Sequence, residues 1–199
     1  MLGRDRVIVG TTLAFMAFNV AEGMALIAGP WMAKHVWADS AVTLGLLLAA
    51  LSAGEFLGAA LAGAMRQRWS PLLAIGIAQL AGGLAFLALL AAPNRLIVGL
   101  GFFSVGLFSA PMTVWAQSLR MRRIPPQIHG RAFALLRTMM QATPPLGSAL
   151  VTPMLVGALL GPAAMVMAVV AAIPAIFLLR DRRLTPPHSS DLVDAEAAP

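Results

Sequence analysis

The chain has 199 residues, of which 59% are apolar and only 11% charged. Soluble domains carry roughly 25% charged residues, so this composition, with a mean hydropathy of +0.84, excludes a water-soluble fold and defines a polytopic membrane protein. The net charge of +6 belongs to arginines that sit beside apolar runs and not along a soluble face, which excludes nucleic acid as a partner. No cysteine is present, which removes disulfides, thiolate metal sites and a cysteine nucleophile.

Residues 1–6 (MLGRDR) form a basic head, and Val7 to about Pro30 is the first apolar run. It is longer than the roughly 7–15 apolar residues of a signal peptide and contains Asn19 and Glu22, so it reads as a retained first span. A loop with Lys34, His35 and Asp39 follows, its Trp31 and Trp37 suited to the membrane interface. The second span runs from about Ala41 to Ala64, and Arg66, Gln67 and Arg68 make a tight loop with Trp69 at the interface. Pro71 falls near the next helix start, where a missing N–H costs little. The third span covers about Leu72 to Ala92, and Pro93-Asn94-Arg95 turns into the fourth, about Leu96 to Leu119.

Arg120, Arg122 and Arg123, followed by Pro125-Pro126, mark the next loop, since arginines avoid hydrocarbon and prolines break helices. The fifth span, near His129 to about Gly157, is long enough to require tilt or a kink, with Pro144, Pro145 and Pro153 as the candidate points. Gly161-Pro162 reads as a turn into the sixth span, about Ala163 to Leu179. The expected organisation is therefore an all-α domain over residues 1–183 with six transmembrane helices. Residues 184–199, rich in Pro, Ser and acids, form a disordered tail.

Charge sets the expected orientation. The head, the second-to-third loop, the fourth-to-fifth loop and the tail hold Arg4, Arg6, Arg66, Arg68, Arg120, Arg122, Arg123, Arg131, Arg180, Arg182 and Arg183, against Lys34 and Arg95 opposite. Both termini are expected in the cytoplasm.

Few polar residues interrupt the spans. Asn19 and Glu22 lie three apart on one face of the first helix. A carboxylate in a span costs at least ~2.5–3.5 kcal/mol unless protonated, paired or wet, so Glu22 is either a substrate or proton site on a polar cavity or a carboxyl bonded to a neighbouring helix. Glu55 lies inside Gly54-x3-Gly58, a spacing that brings helices close; proton coupling and an inter-helix hydrogen bond both fit it. Arg137, with Gln141 one turn on, would counter an acidic residue, bind an anionic substrate or snorkel to the interface. Gln117 and Gln79 are further cavity candidates, and the 12 methionines would line a permissive pocket or simply pack. Asn19, Glu22, Gln117 and Gln141 are expected to face one concavity, with Gly54 and Gly58 packed on a neighbouring helix. No Walker A, HExxH or GxSxG sequence occurs, so neither an ATP-driven step, an enzyme nor a cofactor is expected.

The order of a basic loop, proline, Gly130-Arg131 opening a helix, and Pro145-Leu146-Gly147 within it resembles the tenth-to-eleventh-helix junction of the major facilitator superfamily, nearest to its bacterial exporter branches. DSAVTLGLLLAALSAGEFLGAALAGAMRQRW resembles its seventh-to-eighth-helix passage. Gly63-Ala64-Met65-Arg66-Gln67-Arg68 echoes only part of the family's loop motif and lacks its acidic residue. The resemblance covers roughly residues 1–183 and implies the C-terminal half of a twelve-span fold whose substrate site lies between halves. It further implies an exporter of small molecules, driven by an ion gradient in the manner of an antiporter, in the inner or plasma membrane. The partners implied are the lipid bilayer, a small-molecule substrate and a second six-helix half. That half would be a missing N-terminal portion of a truncated product, a separately encoded chain or a second copy in a homodimer. A non-transporting membrane interaction or assembly protein is the alternative.

Overall fold

The computed structural model describes residues 5–38, 40–65 and 70–180, which contain helices and no strand. The expected tail, the Arg66–Arg68 loop and the orientation markers Arg4, Arg182 and Arg183 lie outside the described residues. The helices are α1 (Arg6–His35), α2 (Ser40–Ala64), α3 (Pro71–Ala85, continued by a 3₁₀ segment Phe86–Ala91), α4 (Arg95–Arg123), α5 (His129–Gln141), α6 (Pro144–Val156) and α7 (Leu160–Arg180). Polar residues mark their starts. Asp5 accepts from the Val7 and Ile8 amides, Asn94 from Leu96 and Ile97, and Ser70 from Leu73 with Pro71 opening α3.

Among the described residues, five helices are long and apolar enough to cross a membrane: α1, α2, α3 with its extension, α4 and α7. The expected fifth span is two helices of 13 residues each, separated at Ala142-Thr143. Each is about 20 Å long at 1.5 Å per residue, short of a ~30 Å hydrocarbon core, so the two form one crossing only in series. The break falls at Pro144-Pro145, where two amide donors are missing in succession.

Two boundaries differ from expectation. The turn before the last span lies at 157–159, where Ala158 adopts φ 56° and the Leu159 amide donates to Met154 O at 2.8 Å. Gly161-Pro162 instead sits in the first turn of α7, where proline lacks only a donor the helix does not use. The second difference is that α4 runs past Leu119 to Arg123, which places Arg120 on a helix and not in a loop.

In a bilayer, helices gain little from burying apolar surface against one another, so small residues and close approach decide the packing. α1 is the central helix, against α6 and α7, while α2 packs on α4 and α3 packs on both α4 and α7. The α2–α4 seam is built on Gly54, Gly58 and Gly106, where an added Cβ would strike the Phe103, Leu107 and Leu51 carbonyls respectively. Pro111 contributes here: it has no N–H, which frees the Leu107 carbonyl one turn back to lie against Gly58. Gly54 and Gly58 thus pack on a neighbouring helix, as their spacing predicts. Gly23 and Gly147 do the same for α1 and α6, against Pro144 and Val20. Phe18, Met24, Phe86, Leu89, Met112 and Met167 fill the core between these seams.

Trp37, in the turn between α1 and α2, packs against protein. It is 9% exposed, with the Arg95 guanidinium 6.0 Å from its ring and Arg95 Nη2 donating to its carbonyl at 3.3 Å.

Candidate functional site

A cavity of about 560 Å³ opens between α1, α2 and α4. Each helix presents residues at helical spacing: Phe15, Phe18, Asn19 and Glu22 from α1, and Ser52, Glu55, Phe56 and Ala59 from α2. α4 adds Ser109, Met112 and Thr113. Both carboxylates of the spans therefore face the same space. No hydrogen bond or ion pair to a described residue ties down either one. On its other side Glu22 abuts a space of about 10 Å³ walled by Leu26, Leu51, Leu89 and Phe102, so it stands at the inner end of the cavity against an apolar barrier.

The helix break positions Asn19. Pro144 has no amide to give to Met140 O one turn back. That carbonyl accepts instead from Thr143, through its amide at 3.3 Å and its Oγ1 at 2.7 Å, and from Asn19 Nδ2 of α1 at 3.0 Å. Ser148 Oγ, beyond the break, donates to Gly23 O at 3.2 Å. The Asn19 and Ser148 bonds clamp α1 to the broken crossing on either side of its bend.

The other candidates lie apart from this space. Gln141 and Arg137 are exposed on α5, outside the cavity. Gln117 is half-buried on α4, one turn beyond the cavity wall, and its Oε1 has no partner among the described residues. Gln79 lies outside this cavity: it is fully buried, and Nε2 donates to Ala14 O at 2.9 Å and Ala171 O at 3.0 Å, stapling α1, α3 and α7.

Sequence reading misplaced Arg120 and overlooked Phe15. Arg120 is not a loop residue but is 1% exposed, its guanidinium 5.1 Å from the Phe15 ring and Nη1 3.7 Å from Met140 Sδ. Nε and Nη2 have no partner among the described residues. Stem packing and the ring face hold it, the latter at ~0.5–2 kcal/mol. A signal existed in the spacing: Arg120 lies eight residues after Met112 and four after Ala116, both buried, on the inward face of α4. Phe15 forms the wall between that guanidinium and the cavity.

A bundle of membrane-length helices with two span carboxylates on one open space between α1, α2 and α4 defines a polytopic integral membrane protein. The sequence profile of the Major Facilitator Superfamily matches residues 7–198, and the chain belongs to that superfamily of membrane transport proteins. No curated protein and no solved structure is similar enough to match it.

Proposed function

We propose that the chain is one six-crossing half of an ion-gradient-driven secondary transporter, an exporter of small molecules by antiport, and a carrier with no enzymatic step. The observation that carries this reading is the pair Glu22 and Glu55 on one cavity of about 560 Å³ within the bundle. Ligand pockets commonly measure ~300–1,000 Å³, and a carboxyl inside a span persists against its cost only when something offsets it. A cavity that admits water, substrate and protons supplies that offset, with Glu22 as the group that exchanges protons at its inner end. The basic residues that flank the apolar runs put both termini in the cytoplasm of a cell carrying this protein in its inner or plasma membrane. A second six-helix half, on the same polypeptide, on another chain or from a second copy, closes the cavity and permits alternating access.

Glu22→Gln tests the reading, because it keeps size and hydrogen bonding while removing titration. In the complete transporting assembly this variant is expected to fold and bind substrate but to lose pH-dependent uphill transport. Transport equal to the parent across about pH 6 to 8 would make the carboxyl structural.

A further inference from the structure

Arginines gather at one end of the bundle, and none of them lines the Glu22–Glu55 cavity. Asp5, before α1, pairs with Arg123 in the last turn of α4 at 3.2 Å. Ile8 of α1, Ile124 after α4, and Ala132 and Leu136 of α5 pack into a small cluster of their own. His129 Nε2 lies 2.7 Å from Ile124 O. The start of α1, the end of α4 and the start of α5 are therefore held together. Arg6, Arg122 and Arg131 flank that cluster along the chain, and all three are exposed.

Charge at this end is unbalanced. Asp5 is the one carboxylate there among the described residues, and it already serves Arg123 and the Val7 and Ile8 amides. Glu22 and Glu55, the other described acids, lie in the spans. Arg6, Arg122 and Arg131 have no ion-pair partner among the described residues. Met121, 59% exposed, and Pro125 and Pro126 add apolar surface beside them.

The sequence beyond α7 carries the opposite charge. Asp181, Asp191, Asp194 and Glu196 make up half of the eight acidic residues. The last three fall within residues 191–196, which contain no base and hold Leu192 and Val193 between the acids. Their point of attachment is close to the arginines: α7 packs on α1 with Leu178 against Gly10, one turn from Arg6. Ten residues then separate Arg180 from Asp191, and a flexible chain of that length spans about 17 Å on average and ~35 Å at most. Tethering keeps the local concentration high, so surface ion pairs that are weak singly suffice when several act together.

We propose that the acidic segment 191–196 docks on the arginine patch of Arg6, Arg122 and Arg131, closing a salt-sensitive contact across the ends of α1, α4 and α5. Three carboxylates meet three guanidinium groups, and Leu192 and Val193 match the apolar surface of Met121. The docked segment braces α5, which otherwise packs chiefly on α1. Anionic lipid headgroups carry the same charge, but the segment is tethered and combines acids with apolar side chains, so it is the occupant this surface favours. Patch and attachment point share one end of the bundle, so the contact depends neither on its orientation in the membrane nor on the transport reading.

The chain has no native cysteine, so spin labels at Gln127→Cys and Ala195→Cys report the contact by pulsed electron–electron double resonance, with the whole chain in phosphatidylcholine nanodiscs. A narrow distance distribution is expected at low ionic strength. Salt at about 1 M, which screens charges beyond ~3 Å, should widen it about twofold or more. The combined variant Asp191→Asn, Asp194→Asn and Glu196→Gln should do the same, and so should Arg122→Gln with Arg131→Gln, melting temperature reporting that each folds. A broad distribution in the parent, like that of a free chain, would overturn the proposal. A narrow one that either set of substitutions leaves unchanged would overturn it too. Including about 30% phosphatidylglycerol is expected to leave the narrow distribution in place at ~0.15 M salt. If that lipid instead broadens it and binds the parent but not the arginine variant, the patch is a lipid site and the tail assignment fails.

Discussion

At Gln79, carbonyls from two neighbouring helices, Ala14 O and Ala171 O, accept from one amide nitrogen, while Oε1 has no partner among the described residues. Inter-helix bonds inside membrane proteins average ~0.6 kcal/mol each, so two contribute about 1 kcal/mol. A buried unpaired acceptor costs ~1–3 kcal/mol. These terms roughly cancel, so Gln79→Met, which keeps the volume, is expected within about 1 kcal/mol of the parent. Gln79→Ala leaves a cavity and should cost ~2–4 kcal/mol. Reversible unfolding in detergent compares the two, and a large loss for Gln79→Met would show the bonds to dominate. Asp5 is a different case, at the membrane edge. Partial burial pushes its carboxyl up, but hydrogen bonds from the Ile8 and Val7 amides and from Arg123, 3.2 Å away, outweigh that and hold it below the usual carboxylate range. Its contribution is therefore complete above that range and is lost as pH falls through the lowered folded value. Asp5→Asn should flatten the fall in melting temperature below about pH 4, and Asp5→Ala should cost ~1 kcal/mol at neutral pH. An unchanged acid profile in Asp5→Asn would show that this carboxylate has no part in it.

Among the elements, α2 and α4 depend most plainly on close approach. Gly106 meets the Leu51 carbonyl and the Glu55 amide of α2, both backbone atoms that cannot rotate aside. Gly106→Ala should push the helices apart and cost ~1–3 kcal/mol. Gly99, on the same helix, has open space around a built Cβ, so Gly99→Ala should be neutral or stabilise by up to ~1 kcal/mol through helix propensity. Melting temperatures of the two variants check this, and equal effects would mean the seam is not tight. Because Glu55 is the next residue after Gly54, separating α2 from α4 should also displace a carboxylate of the cavity. The broken crossing works by another device. Proline withholds one amide from Met140 O, and Thr143 and Asn19 both donate to it, which ties the break to α1.

For the molecule as a whole, topology is the most accessible test. The basic end of α4, with Arg120, Arg122 and Arg123 in its last turn, should face the cytoplasm. The chain has no native cysteine, so a single Cys at Arg122 should react with an impermeant maleimide in broken cells and not in intact ones. Reaction in intact cells would reverse the orientation.

Composition alone determined that the chain is helical and membrane-embedded, because uninterrupted apolar runs of span length have no other way to satisfy their backbone in lipid. Caps and prolines placed most boundaries within a few residues, and the spacing of Gly54 and Gly58 announced a tight seam. Glu22 and Glu55 stood out singly as costly residues in apolar runs. That they share one cavity was not legible, because helix order in the bundle follows from which small-residue faces fit together, and such faces carry no address in sequence. The placement of Gln79 and Arg120 was hidden for a related reason. A polar side chain on a helix looks the same in sequence whether it turns toward lipid or water or inward, and the neighbours that close around it decide. Gln141 and Arg137 share a helical face with each other, yet whether that face meets the cavity depends on how the helix packs, and spacing within one helix does not say. Local chemistry thus dictated the elements and the class of protein, while long-range packing decided which polar groups became the site.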